Sequence, residues 1–223
     1  MAGDWEAHLR REEKRYREGE ARLPDASDPD SRQRQLTRLG NAAGGAGLAL
    51  LMLGRSEEAG RWFDRAAWRY RESASEAPPG SWGRPIGAIK ARMLAGDEPG
   101  AEEEARWALE TGAAGAESPI GRYAACLALL VLGRDEDARP LASSLRERDD
   151  FPRAVADALA MLAAGTDRLG YIDAVERVLE SFEQREEYLE DIPVADTVLV
   201  LQALARRREI EAELESELLP ASV

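Results

Sequence analysis

The chain has 223 residues, of which 44% are hydrophobic and 33% are charged, and its formal net charge is −13 at pH 7. This length and apolar content predict a single folded domain with a core of its own and exclude a disordered chain. A strongly acidic surface repels nucleic acid and anionic lipid, so we expect neither of them as a partner.

The first predicted element is a capping helix over residues 1–22, in which Trp5, Leu9 and Tyr16 alternate with charged side chains. Charged residues begin at Asp4, so we expect no secretory leader. No later uncharged run reaches the roughly 20 residues that a membrane-spanning helix needs. The segment "LPDASDPDS", residues 23–31, is rich in turn-forming residues and predicts a flexible connection.

A near-repetition follows, because "LALLMLGRSEEA" and "LALLVLGRDEDA" share nine of twelve letters at an offset of 79 residues. In each copy a glycine ends one predicted helix and acidic residues begin the next, and Ser56 is the expected N-cap in the first copy. Gly54, Gly96, Gly133 and Gly165 are the successive predicted stops, at spacings of 42, 37 and 32 residues. Periods of this size predict stacked helical hairpins.

Alanines on the second helix of each predicted hairpin recur at spacings of three, four or seven residues, which allows neighbouring helices to approach closely. These alanines are Ala59, Ala66, Ala67, Ala101, Ala105, Ala108 and Ala138. The glycine runs "GNAAGGAG" and "GRPIGA" follow no predicted strand and lack the Lys-Ser/Thr ending of a phosphate loop. We therefore predict that they are close-packing positions within helices.

The stretch "GLALLMLGRSEEAGRWFDRAA" resembles the tetratricopeptide repeat, with Gly47, Gly54, Ala59, Phe63 and Ala66 at the small and aromatic positions of that family. The resemblance implies an all-α fold, a right-handed α-α superhelix of four to five helical hairpins. We expect the hairpins over residues 32–189, followed over residues 190–223 by a C-terminal helix and a tail. Glutamate at every second tail position favours an extended ending.

The last third carries a second, weaker likeness. An acidic helix followed by "PVADTVLVLQALARRREIEAELESELLP" is similar to the ending of a helical family of bacterial toxin-immunity proteins. That likeness implies a different role for the chain, as the neutraliser of a toxin encoded beside it.

The sequence contains few candidates for catalytic residues. The chain has one histidine, His8, on the charged N-terminal helix, and one cysteine, Cys126, within an apolar run. We therefore expect no catalytic triad, no metal site and no cofactor, and the lone cysteine favours a reducing, cytoplasmic location. Tyr123, Lys90 and Arg122 are the polar candidates for an enzyme site inside the helical array, which is the least favoured alternative.

The leading functional hypothesis is a non-enzymatic protein-interaction module that binds an unknown protein or peptide, with a homodimer or an immunity protein as alternatives. In the expected register the first helices line an apolar groove, which needs a cover from the N-terminal helix, the C-terminal tail, a second copy or a partner helix. The candidate groove residues are Asn41, Leu51, Ile86, Lys90, Met93, Ile120, Tyr123, Leu127 and Leu159. The N-terminal helix is the expected cover, with Trp5 and Leu9 against the first helices of the early repeats.

Overall fold

A computed structural model gives the structure of residues 4–221, with the main chain alone described at Leu189. These residues form ten α-helices and no β-strand, so the predicted all-α class is confirmed for this part of the chain. The helices are α1 (Trp5–Arg22), α2 (Pro29–Met52), α3 (Ser56–Ala74), α4 (Gly83–Leu94), α5 (Glu98–Glu110), α6 (Pro119–Val131), α7 (Asp135–Arg146), α8 (Arg153–Ala164), α9 (Arg168–Glu183) and α10 (Asp196–Arg206).

All four predicted glycine stops lie where one helix ends and the next begins. Their φ angles are +72° at Gly54, +71° at Gly96, +67° at Gly133 and +71° at Gly165. Glycine adopts this left-handed conformation without the steric cost that a side chain brings, so each stop is a chemical requirement of the turn. The glycine periodicity therefore marks the ends of α2, α4, α6 and α8.

The predicted N-cap of α3 is wrong by one residue. Arg55 is the cap, and Ser56 is the first helical residue. The Arg55 guanidinium donates to both carboxylate oxygens of Glu58, at 2.7 and 2.6 Å. At the start of α7, Arg134 donates to one carboxylate oxygen of Asp137, at 2.8 Å. The repeated Gly-Arg pair thus places a cation against an acid of the following first turn, and no described side chain caps α3.

Two predicted boundaries also move. Within residues 23–31, Leu23–Asp25 form a 3-10 turn and α2 already begins at Pro29. The Asp28 carboxylate accepts from the Ser31 N–H at 2.9 Å, and a proline in the first turn has no N–H to satisfy, so the helix starts earlier than expected. At the other end α9 stops at Glu183, and residues 184–195, here called the connector, lead to α10.

Each helix from α1 to α9 packs on the next one along the chain. The pairs α2–α3, α4–α5, α6–α7 and α8–α9 are successive helical hairpins, and their first helices also contact one another in order. The alanines predicted to permit close packing on the second helices are fully buried: Ala59, Ala66, Ala67, Ala101, Ala105, Ala108 and Ala138. Small residues at these positions therefore let the hairpins stack.

Glycines inside the helices make room for aromatic rings. A Cβ on Gly47 would lie 2.7 Å from the Phe63 ring, which is closer than real contacts allow. Cβ atoms on Gly40 of α2 and Gly87 of α4 would lie 2.8 and 2.7 Å from the ring of Tyr70, so that ring is held between two glycines. The prediction that both glycine runs serve close packing is confirmed at these positions.

The last helix, α10, contacts α4, α8 and α9. Its Val198 and Leu201 belong to the same apolar core as Leu127 of α6 and Leu159 of α8. The tail has neither helix nor strand up to residue 221. Its burial alternates, since Ile210 and Ala212 are buried while Glu209 and Glu213 are exposed and Glu211 is half-buried. That alternation is the two-residue period of an extended segment.

The N-terminal helix α1 packs along α2. Leu9 and Tyr16 are buried in one cluster with Leu36 and Leu39 of α2, and Trp5 lies against the larger core. The packing of Leu9 against the first helix of the first hairpin is therefore as expected. The first helices farther along the chain are covered by α10, whereas the sequence favours the N-terminal helix as the cover, with the C-terminal tail as an alternative.

Candidate functional site

The candidate site lies on the inner face, which we define as the side of α2, α4, α6 and α8 that meets the connector and α10. This is the face that the sequence predicts as an open apolar groove. In the structure most of it is covered by the chain's own C-terminal part. What stays accessible is a cavity of about 450 Å³ between α2, α4 and the connector, with Tyr70 of α3 at its wall.

Three of the predicted groove residues meet at this cavity. Asn41 of α2 and Ile86 and Lys90 of α4 line it, together with residues from the end of α9 to the start of α10. Apolar walls come from both sides of the cavity, and Leu48 and Ile192 are examples. A concave, mostly apolar space with a few polar groups is the usual form of a small-molecule site.

The other six predicted residues lie away from the cavity. Met93, Leu127 and Leu159 are buried in the main apolar core, Leu51 and Tyr123 pack partly buried against it, and Ile120 is 46% exposed. Their contact with a protein partner stays a prediction, and for the buried ones it requires that α10 leaves the inner face.

A chain of hydrogen bonds joins four segments at the cavity wall. The Tyr70 hydroxyl donates to Asn41 Oδ1 at 2.9 Å, and Asn41 Nδ2 donates to Glu190 Oε1 at 3.0 Å. The Glu190 carboxylate also forms an ion pair with Arg15 of α1. Burial raises the pKa of Tyr70 well above its usual value, so its hydroxyl stays protonated and remains a donor.

Glu190 adopts an unusual backbone conformation in this chain of contacts. Its φ is +56°, and the following Asp191 has a φ of +53°. Residues other than glycine take the left-handed region at a cost, which surrounding contacts must offset. Arg11 of α1 donates to the carbonyl oxygens of both residues. The connector is thus fixed to α1 and α2 at the cavity.

Lys90 is neutralised within the cavity. Its ammonium forms an ion pair with Asp196 at the start of α10 and donates to Thr197 Oγ1 at 3.1 Å. Tyr123 instead packs against Phe151, with ring centroids 5.6 Å apart, and no described hydrogen bond joins Tyr123 or Arg122 to Lys90. Burial, and next the Asp196 carboxylate that pairs with Lys90, raise the pKa of Tyr123, so Tyr123 and Lys90 lie near the same carboxylate without a described hydrogen bond between them.

Arg84 is the functional candidate that sequence reasoning missed. It lines the cavity, half buried, and donates to two neutral groups, the side-chain oxygen of Gln33 and, at 3.4 Å, the hydroxyl of Ser73. Burial lowers its pKa, and no acidic side chain opposes that effect. The sequence offered a weak signal, since "GRPIG" puts this arginine on the same helix as Ile86 and Lys90.

A second feature lies on α3 beside α1, where tryptophan and arginine side chains stack. We call Trp62, Arg65, Trp68 and Arg69 the α3 patch. The Arg65 guanidinium lies 4.4 Å from the Trp62 ring centre, and that of Arg69 lies 4.3 Å from the Trp68 ring centre. Trp68 is 55% exposed, although Arg69 beneath it is buried. Large exposed aromatic side chains of this kind are uncommon outside interfaces.

The other residues considered for a catalytic or metal-binding role do not form such a site among the described residues. Cys126 is buried, and burial raises the pKa of its thiol to about 12, so it is not a reactive thiolate at neutral pH. Within residues 4–221 no group of three or more His, Cys, Asp or Glu side chains is placed to hold a metal ion. In the same part of the chain, no helix combines the length and the apolar character needed to cross a bilayer.

Comparison with protein families, with curated proteins and with solved structures finds no match to the chain. The likenesses to the tetratricopeptide repeat and to immunity proteins therefore rest on the residues quoted above and on the helical architecture.

Proposed function

We propose that the chain is a non-enzymatic protein-interaction module with a tetratricopeptide-like superhelix of four hairpins. The regular glycine stops, the buried alanines of the second helices and the serial contacts of the first helices support this architecture. Such arrays expose long surfaces and use them to bind other proteins.

The observation that carries the proposal is the exposed pair Trp68 and Arg65 of the α3 patch. Arg69 of the same patch is buried and already paired with Glu20 and Glu72. Trp and Arg are the residues that most often dominate the binding energy of protein interfaces. Arg65 is exposed and has no carboxylate partner among the described residues, so it is free to pair with an acidic group of a partner. The inner face is less available, because α10 and the connector already cover most of it.

Affinity purification of the tagged full chain from its own cells tests this function. Partners that wild type captures should be lost from Trp68→Ala and from Arg65→Glu, and both variants should stay folded because these side chains are exposed. Leu169→Ala is the matched control, since Leu169 of α9 is 80% exposed and lies outside the patch. Capture that is equal for all variants, or no specific capture by wild type, contradicts the proposal.

An immunity protein is the second candidate, and the charge of the chain favours it. A net charge of −13 accelerates association with a basic target such as a nuclease. The likeness calls for a long helix followed by an extended segment, but α10 has 11 residues and is the shortest of the ten described helices, so only the non-helical tail supports it. If a neighbouring gene encodes a toxin, co-expression of this chain should restore growth of cells that make it. Growth arrest that persists despite expression of the chain would remove this alternative.

A further inference from the structure

The cavity on the inner face contains more open space than the packing of its helices requires. Gly44 lies in the middle of α2 and lines the cavity, and a Cβ at this position would meet no atom within 4 Å. By contrast, Gly40, Gly47 and Gly87 each make room for an aromatic ring. Glycine weakens a helix relative to alanine, so Gly44 carries a cost that no neighbouring contact explains.

The cavity also carries an excess of positive charge in a strongly acidic protein. Its lining includes three cations, Arg84, Lys90 and Arg185, against two carboxylates, Glu190 and Asp196. Lys90 is paired with Asp196, and Glu190 is paired with Arg15 from outside the cavity. Among the described residues, no carboxylate pairs with either arginine of the lining.

The two arginines are held in place without being neutralised. Arg84 donates to Gln33 and Ser73, which leaves its Nη1 group without an acceptor among the described residues. Arg185 stacks on Phe182, with its guanidinium carbon 3.6 Å from the ring centre. A half-buried guanidinium without a counter-charge is stabilised by an anion, and its planar fork of donors matches a carboxylate.

From the open space at Gly44, the apolar walls and the unpaired Arg84, we infer that this cavity binds a small organic monocarboxylate with an apolar body. The carboxylate pairs with Arg84, and the body lies between Leu48 and Ile86 in the space beside Gly44. The volume of about 450 Å³ is in the range of small-molecule sites, roughly 300–1,000 Å³. This site is separate from the α3 patch, so the test of ligand binding and the test of the proposed interaction surface are independent of each other.

The test is calorimetric titration of the full chain with the saturated monocarboxylates from butanoate to decanoate. We expect saturable one-to-one binding for at least one chain length. Arg84→Gln should weaken it by about tenfold or more, since it removes the charge-assisted hydrogen bonds. Gly44→Leu should abolish binding by filling the space, without lowering the melting temperature. Arg38→Gln is the matched control, because Arg38 is an exposed arginine of α2 outside the cavity lining, and its affinity should equal that of wild type.

Two further compounds, an alcohol series and inorganic phosphate, test whether the cavity recognises a carboxylate with an apolar body. Alcohols of the same chain length should bind at least about tenfold more weakly than the acids, because they lack the charge that pairs with Arg84. Inorganic phosphate should not displace the carboxylate. No saturable binding by wild type for any acid, binding that Gly44→Leu and Arg84→Gln leave unchanged, or displacement by phosphate each overturns the inference.

Discussion

The hydroxyl of Tyr70 donates a hydrogen bond to the side-chain oxygen of Asn41, 2.9 Å away, and joins the second helix of the first hairpin to its first helix. Asn41 in turn donates to Glu190 of the connector, at 3.0 Å. This relationship links the repeat to the chain's own C-terminal part. The residues that close the inner face are therefore bound to it by specific polar contacts as well as by apolar burial.

Replacing Tyr70 with phenylalanine tests this link. The variant keeps the ring between Gly40 and Gly87 but leaves the side-chain oxygen of Asn41 without its donor. We expect the free energy of unfolding to fall by about 1 kcal/mol. Urea denaturation measures the change, and the double variant with Asn41→Ala should lose less than the sum of the two single losses. Strict additivity would show that the hydrogen bond does not contribute to stability.

The glycines of α2 and α4 should respond to substitution in opposite directions. Gly87→Ala places a Cβ 2.7 Å from the ring of Tyr70 and should destabilise the fold by roughly 1–3 kcal/mol. Gly44→Ala meets no atom within 4 Å and should stabilise it by up to about 1 kcal/mol through helix propensity. Thermal unfolding of the two variants beside wild type gives the comparison. A loss of stability in Gly44→Ala would mean that the space beside α2 is smaller than described.

Removal of residues 190–223 should expose the inner face. The deletion takes away the buried Ile192, Val198 and Leu201, which share a core with Leu127 and Leu159. We expect a lower melting temperature and self-association, measured by calorimetry and by light scattering. Deletion of residues 1–22 is the comparison, because it removes the contacts of α1 with α2 but leaves those of α10 in place. A monomeric 190–223 deletion with an unchanged melting temperature would show that the C-terminal part is not the cover.

Mild acid should weaken the packing of α1. Burial, and next the nearby Arg11 guanidinium, lower the pKa of His8 below its ordinary value of 6.5. The unfolded chain therefore binds this proton more readily, so stability falls as the pH drops through about 6.5 and stays lower below the folded pKa. His8→Gln should lose less stability than wild type between about pH 7.5 and pH 5.5, a window in which ordinary carboxylates do not titrate. Parallel losses in the two proteins would show that His8 does not titrate with folding.

Periodic features of the fold could be predicted from the sequence because they depend on local chemistry. The turn at Gly54 needs a positive φ, and the stacking of Ala59 and Ala66 needs small side chains. Glycine and alanine therefore recur in the sequence at regular spacing. The N-cap of α3 was placed on Ser56 because a hydroxyl is a common cap. In the structure Arg55 is the N-cap and no described side chain caps the helix, so the general preference for a hydroxyl cap places the boundary one residue late.

The candidate site could be predicted only in part. Asn41, Ile86 and Lys90 follow from the helical register, since they lie on one face of the first helices. Asp196 and Glu190 reach the same cavity from more than 100 residues farther along the chain, and nothing in their local sequence indicates this position. The sequence favours α1 as the cover and leaves the C-terminal tail as an alternative. The two helices differ, because α1 buries a single stripe of residues while the run "VLVLQ" of α10 is buried on every side. A helix that is apolar all round is expected to be buried, so α10 carries a sequence signal for its place.

Zero-length cross-linking with a carbodiimide tests most directly whether α10 lies on the inner face. The chain has two lysines, Lys14 and Lys90, so the cross-link map is simple, and Lys14 pairs with Glu18 within α1 as an internal standard. The ion pair of Lys90 with Asp196 predicts an amide bond between α4 and α10 in the monomer, detected by mass spectrometry of the digested protein and absent from Asp196→Asn. Formation of the Lys14–Glu18 link without any Lys90–Asp196 link in the wild-type monomer would contradict the placement of α10.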